Sequence, residues 1–163
     1  MAASFPVSAT RCEMTQIVLP THTNNLGTAF GGQIAAWIDI CAAVSAQRLA
    51  RAAAVTASMD GLHFRRPVRQ GMVVVLQSQV NRVWRSSMEI GVRVDAEDPA
   101  TGNREHCCTA YLTFVVIGAD GRPGVAPGLD LEGQEENERR WTQAAIRRKS
   151  RLELRRLRDR ADA

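Results

Sequence analysis

Residues 20–39 of this 163-residue chain read PTHTNNLGTAFGGQIAAWID. A polar loop with adjacent Asn24 and Asn25 runs into Gly31-Gly32, and a largely apolar segment with one carboxylate, Asp39, follows. Gly31 and Gly32 stand where a helix should begin. The first N–H groups of a helix have no intrahelical acceptor and lie at the positive end of its dipole, and glycine has no Cβ to hold a ligand away. Asp39, flanked by Trp37, Ile38, Ile40 and Cys41, falls about two turns beyond Gly32, or ~10 Å along the axis. Donors able to hold a developing oxyanion and a carboxylate able to take a proton are two of the parts that acyl-group hydrolysis requires.

Working outward, residues 31–52 read as one helix. Ile34, Ile38, Cys41, Ala42, Val44 and Leu49 follow i, i+3/i+4 steps, and the segment is apolar over most of its circumference, as suits a central helix gripped by a sheet. Residues 12–19 before it form a short strand that stops at Pro20. Residues 55–59 and 62–64 after it form a strand broken at Asp60-Gly61, and Pro67 favours a bend. Residues 72–83, 87–96 and 105–117 are longer strands, joined at Trp84-Arg85-Ser86 and at the turn sequence DPATGN of residues 98–103. In the middle one, Met88, Ile90, Val92 and Val94 share one face and Glu89, Arg93 and Asp95 the other. Consecutive hairpins make the sheet antiparallel and the class α+β. A single sheet around one apolar helix leaves open edges and little core, so the unit is expected to pair with a copy of itself.

The length suits one domain with an appendage: residues 1–128, then residues 129–163 as a charged helical extension whose helix starts near residue 132. Hydrophobic residues make up 45% of the chain, enough for a packed core. No apolar run approaches the ~18 residues of a membrane span, and the opening MAASFPVSATRCE has no secretory pattern, so a cytoplasmic location is expected. Cys12, Cys41, Cys107 and Cys108 lack C-x-x-C spacing and read as free thiols. The formal charge of +4 is concentrated near the end, where residues 139–160 carry ten basic and two acidic side chains. The remainder gives no reason to expect a nucleic-acid surface. That tail is expected to be a solvated or subunit-packing helix. His22, His63 and His106 are scattered without ligand spacing, so no metal is expected.

These residues resemble the hot-dog fold acyl-CoA thioesterases, in particular the cytosolic acyl-CoA hydrolase branch. One motif reads Pro20, Asn24, Gly27, Phe30-Gly31-Gly32 and Asp39. A second reads Phe64-Arg65-Arg66-Pro67-Val68-Arg69-Gln70-Gly71. The similarity runs over residues 14–117. His22 departs from it where the family commonly has an acid, and Met72 where an Asp often follows the glycine.

The resemblance implies a five- to six-stranded antiparallel sheet wrapped around the central helix, with a charged C-terminal helix. It implies hydrolysis of a fatty acyl-CoA thioester to free acid and coenzyme A, by a dimer or trimer of dimers and with no cofactor beyond the coenzyme A of substrate and product. Gly32, with Gly31, would hold the carbonyl oxygen. Asp39 would be general base or nucleophile and would face Asn24 and Gly32 of the other protomer across a dimer interface, with Asn24 orienting water or thioester. Coenzyme A would be met by Phe30, Phe64, Pro67, and Arg65, Arg66 or Arg69, whose guanidinium forks match phosphate. Strand alternation would put Arg65 and Arg66 on opposite faces. Ser86 and Ser87 would meet the nucleotide, and Thr56 and Asp60 would approach the site. The competing readings are a non-catalytic acyl-CoA binding regulator and a hot-dog hydratase or dehydratase. The latter would want a catalytic His, and the helix has none.

Overall fold

The computed structural model describes residues 3–161. The elements are β1 (Ser4–Pro6), α1 (Val7–Thr10), β2 (Cys12–Ile17), a 3-10 turn (Pro20–His22), α2 (Gly31–Ala50), β3 (Ala54–Met59), β4 (Val73–Val83), β5 (Ser87–Glu97), β6 (Arg104–Val116), β7 (Gly128–Asp130) and α3 (Glu135–Ala161). The main sheet has five strands in the order β2-β4-β5-β6-β3, each neighbouring pair antiparallel. β1 and β7 form a separate parallel pair that straddles the 128/129 boundary.

α2 lies in the concave face of this sheet and packs on all five strands. Ile34, Trp37, Ile38, Cys41, Ala42, Ala46 and Leu49 are buried there against Leu76, Ile90, Leu112 and Phe114. Each large side chain so buried contributes roughly 1.5–3 kcal/mol. Ser45 and Cys41 meet Ser78 of β4 at 2.7 and 3.3 Å, so the polar atoms inside this contact are paired. One strip of the helix, with Ala36 and Ile40, stays uncovered. The four cysteines are free, and burial pushes the Cys41 thiol up to about 12.

Two expectations are corrected. Residues 62–64 form no strand. A β-bulge between Thr56 and Ser58 disturbs the pairing of β3 with β6, and beyond Met59 the backbone bonds to β6 among the described residues are Asp60 N–H to Tyr111 O (2.9 Å) and Arg65 N–H to Cys107 O (2.9 Å). Arg65 and Arg66 therefore sit in a bend, where strand alternation does not apply, and they line the same cavity.

Glu89 shares the outer face with Arg93 and Asp95, as alternation places it, and is fully buried there. α3 begins at Glu135 and covers that part of the sheet. Arg147 binds both Glu89 oxygens, at 3.1 and 2.6 Å, and lies 3.6 Å over the Tyr111 ring. Asn81 donates a third bond to Glu89 at 3.0 Å. A carboxylate out of water is tolerated only with such partners.

Candidate active site

The α2 start is built by two stitched segments. The Ala29 N–H bonds Val68 O at 2.8 Å and the Gln70 N–H bonds Gly27 O at 3.0 Å, which ties the 23–30 loop to residues 68–70. Asn24 organises that loop. Its Oδ1 accepts from the Leu26 N–H (2.9 Å) and the Thr28 N–H (3.3 Å), and its Nδ2 donates to Thr28 Oγ1 (3.0 Å). This is an Asx-type turn, and one Nδ2 proton stays without a partner among the described residues. His22 accepts the Leu19 N–H at Nδ1 (3.1 Å) and meets the Trp37 ring edge-on at 5.0 Å, so it supports the loop.

Phe30 is the N-cap of α2 and offers no side-chain cap, so the Gly31 and Gly32 N–H groups at the first two helical positions stay open. The two glycines differ. A Cβ on Gly31 would come within 3.1 Å of the Phe64 ring, whereas one on Gly32 would meet nothing within 4 Å. Packing therefore explains Gly31 and leaves Gly32 without a steric reason in the protomer. A cavity of about 310 Å³ opens here, lined by Gly31, Ile34, Phe64, Arg65, Arg66 and Pro67 among others. Arg66, Pro67 and Arg69 continue into an adjoining hollow of about 520 Å³. Phe30 is 53% and Phe64 44% exposed, so an apolar rim faces outward beside the open amides.

Asp39 occupies the middle of α2. Thr56 Oγ1 of β3 donates to Asp39 Oδ1 at 2.7 Å, and no partner for Oδ2 is found among the described residues. Ile40 and Val55 beside this pair are about half exposed, and β3 is an edge strand, paired among the described residues with β6 alone. The carboxylate thus sits in an uncovered apolar patch on an open sheet edge, where a second chain would dock.

Asp60 does not join it. The bulge reverses the facing of the strand, and Asp60 turns to the outer face, where Arg151 of α3 binds it. Ser86 and Ser87 lie at the β4–β5 hairpin, where Ser86 O accepts the Val116 N–H at 2.9 Å. Arg65 is anchored nine residues away at Cys107, about 30 Å along β6 at ~3.3 Å per residue. Within one protomer the arginines and the serines therefore stand at opposite ends of the sheet, and the Asp39–Thr56 pair lies between them. Thr28, which shapes the Asn24 loop, was not singled out by sequence, although a Thr four residues past an Asn in a turn is a readable signal. Among the described residues no three His, Cys, Asp or Glu side chains converge, and none of the helices is long and apolar enough to cross a membrane.

Residues 26–103 match the family described as Thioesterase superfamily. An uncharacterized acyl-CoA thioester hydrolase of Bacillus subtilis is 43% identical over 75% of this chain and 71% of its own length. Acyl-coenzyme A thioesterase 11 of Mus musculus is 39% identical over 91% of this chain. The chain spans only 25% of that relative's length.

Among solved structures, an apo-hexameric acyl-CoA thioesterase superposes with a TM-score of 0.88 at 36% identity, over 93% of this chain and 96% of that one. An acyl-CoA hydrolase of Staphylococcus aureus, in complex with butyryl coenzyme A, coenzyme A and coenzyme A disulfide, superposes at 0.85 with 30% identity, over 96% and 94%. That hydrolase has also been solved with an Asn, an Asp or a Thr replaced by alanine. Those three positions are 15 and 17 residues apart, the same separations as Asn24, Asp39 and Thr56 here.

Proposed function

The chain belongs to the thioesterase superfamily, and on that premise we propose that it hydrolyses acyl-coenzyme A thioesters to the free acid and coenzyme A. The observation that carries this reading is the 2.7 Å bond from Thr56 to Asp39 Oδ1 on the open edge of the sheet. It fixes a carboxylate whose second oxygen has no partner among the described residues, on the same helix as two N–H groups likewise without one.

Gly32 and Asp39 of one protomer are ~10 Å apart along α2, too far to serve one carbonyl, whose oxygen needs donors at about 3 Å. We therefore place each site between two copies, with Asp39 and Thr56 from one and Asn24, Gly31 and Gly32 from its partner. Antiparallel docking of the two β3 edges also brings the arginine end of one sheet to the serine end of the other. Arg65, Arg66 or Arg69 and the partner copy's Ser86-Ser87 hairpin can then meet one coenzyme A.

In this arrangement Asp39 Oδ2 takes a proton from a water whose oxygen attacks the thioester carbon. Negative charge builds on the carbonyl oxygen and is held by the Gly32 N–H, with that of Gly31 beside it. The carbonyl then re-forms as the C–S bond breaks, and the departing sulfur takes the proton held on Asp39, so coenzyme A leaves as the thiol and the carboxylate is regenerated. The free Nδ2 proton of Asn24 orients the water or the thioester. Phe30, Phe64 and Pro67 wall the pantetheine side. Water is the only reactant besides the thioester, and coenzyme A enters as part of the substrate. The working unit is a homo-oligomer of dimers in the cytoplasm, with residues 1–128 as the catalytic domain and residues 129–163 as its buttress.

The test is release of free thiol from acyl-CoAs of graded chain length. Turnover with at least one of them is expected. Tight coenzyme A binding with no thiol release for any chain would instead identify a binding regulator.

A further inference from the structure

The cavity wall formed by residues 61–67 is held at its far end, where Cys107 Sγ donates to Arg66 O at 3.5 Å and Arg66 pairs with Glu105 at 3.3 Å, while Leu62 packs on the core. It leaves β3 after the bulge, and its first backbone anchors are the Asp60 N–H on Tyr111 O and the Arg65 N–H on Cys107 O, with none from 61–64 between them. Phe64, Arg65, Arg66 and Pro67 of this segment line the cavity at the α2 start. With its far end fixed at Arg65 and Arg66 on β6, the path of residues 61–64 depends on how the take-off at Asp60 is fixed.

That take-off is gripped from outside. Arg151 Nη1 of α3 lies 3.0 and 3.1 Å from the two Asp60 carboxylate oxygens. Both side chains are only 23% exposed, so solvent and salt screen the pair less than a surface bridge. One turn earlier on the same helix, Arg147 covers the Tyr111 ring and clamps Glu89 of β5. At the α3 start, Arg82 of β4 bonds Trp141 O at 3.1 Å and stacks on its ring at 4.4 Å. The helix thus crosses the sheet from β4 through β5 and β6 to the exit of β3, and the last side-chain contact it makes with the sheet among the described residues is the one that holds the loop.

We propose that Arg151 is a positioning residue for substrate binding. Through Asp60 it sets the path of residues 61–67, so that Phe64 and the Arg65-Arg66 pair stand at the mouth of the α2 cavity. The link from α3 to substrate rests on the proposed function; the link from α3 to the loop does not.

Both links are tested with Arg151→Gln, Arg151→Lys and Arg139→Gln in the full chain, the last removing an exposed contact to Glu136 far from the loop. For Arg151→Gln, faster amide hydrogen exchange confined to residues 61–66 is expected. So is a KM for acyl-CoA raised roughly 5- to 20-fold with kcat within about twofold. Arg151→Lys should recover part of both effects, and Arg139→Gln should show neither. Unchanged exchange at 61–66 overturns the inference. So does faster exchange spread over β4 to β6, which would mean a merely structural role, or a fall in kcat at constant KM. If the unsubstituted protein releases no thiol, the proposed function fails, and the exchange measurement alone still decides whether Arg151 orders the loop.

Discussion

Asp39→Asn is expected to lower kcat by roughly 10²- to 10⁴-fold, the usual contribution of a positioned general base, with coenzyme A affinity little changed. The substitution is nearly isosteric, and an amide oxygen can still accept the 2.7 Å bond from Thr56, so fold and local geometry should persist. What is lost is the basic second oxygen. Steady-state kinetics with the most active acyl-CoA, beside calorimetric titration of coenzyme A, checks the prediction. Retention of full turnover would remove Asp39 from the chemistry. Loss of coenzyme A binding in parallel with kcat would assign it to binding instead.

Gly32→Pro should cost roughly 10²- to 10³-fold in kcat, as when one oxyanion donor is removed elsewhere. The reasoning is specific to the position. At the second residue of α2 the N–H has no intrahelical acceptor, so proline deletes no helix hydrogen bond there and its fixed φ is compatible with a first turn. A Cβ at Gly32 meets nothing within 4 Å. The thermal midpoint is therefore expected to stay within a few degrees of the parent. Gly31→Ala behaves differently, because its Cβ would press the Phe64 ring at 3.1 Å and displace the cavity wall. A large loss for Gly32→Pro with an unchanged midpoint separates a donor from a packing glycine. Undiminished kcat would contradict the assignment.

The central helix was legible because two independent signals coincide, a glycine pair with no Cβ at its start and a 3.6-residue apolar period beyond it. The hairpins were legible from Trp84-Arg85-Ser86 and from DPATGN, where turn chemistry is local. Glu89 shows where local reading stops. Alternation placed it on the outer face, but that face is dry at this point because Arg147, 58 residues later, brings α3 over it. The strand proposed at 62–64 failed because Leu62 and Phe64 mimic alternation, whereas the bulge after Thr56 had already changed the pairing. The same bulge decides that Thr56 meets Asp39 and that Asp60 meets Arg151, a distinction with no trace in residue spacing. The motif thus named the candidate residues, and long-range pairing decided which of them meet within the protomer.

The most direct measurement mixes two inactive variants. Asp39→Asn and Gly32→Pro chains carrying different tags are co-expressed, and the doubly tagged assembly is assayed. If each site takes its carboxylate from one copy and its N–H donors from another, every mixed dimer has one of its two sites intact, so doubly tagged dimers should regain about half of parental turnover and larger, randomly assorted assemblies about a quarter. Activity no higher than either variant alone would mean that each site is made within one chain, contradicting the shared-site account.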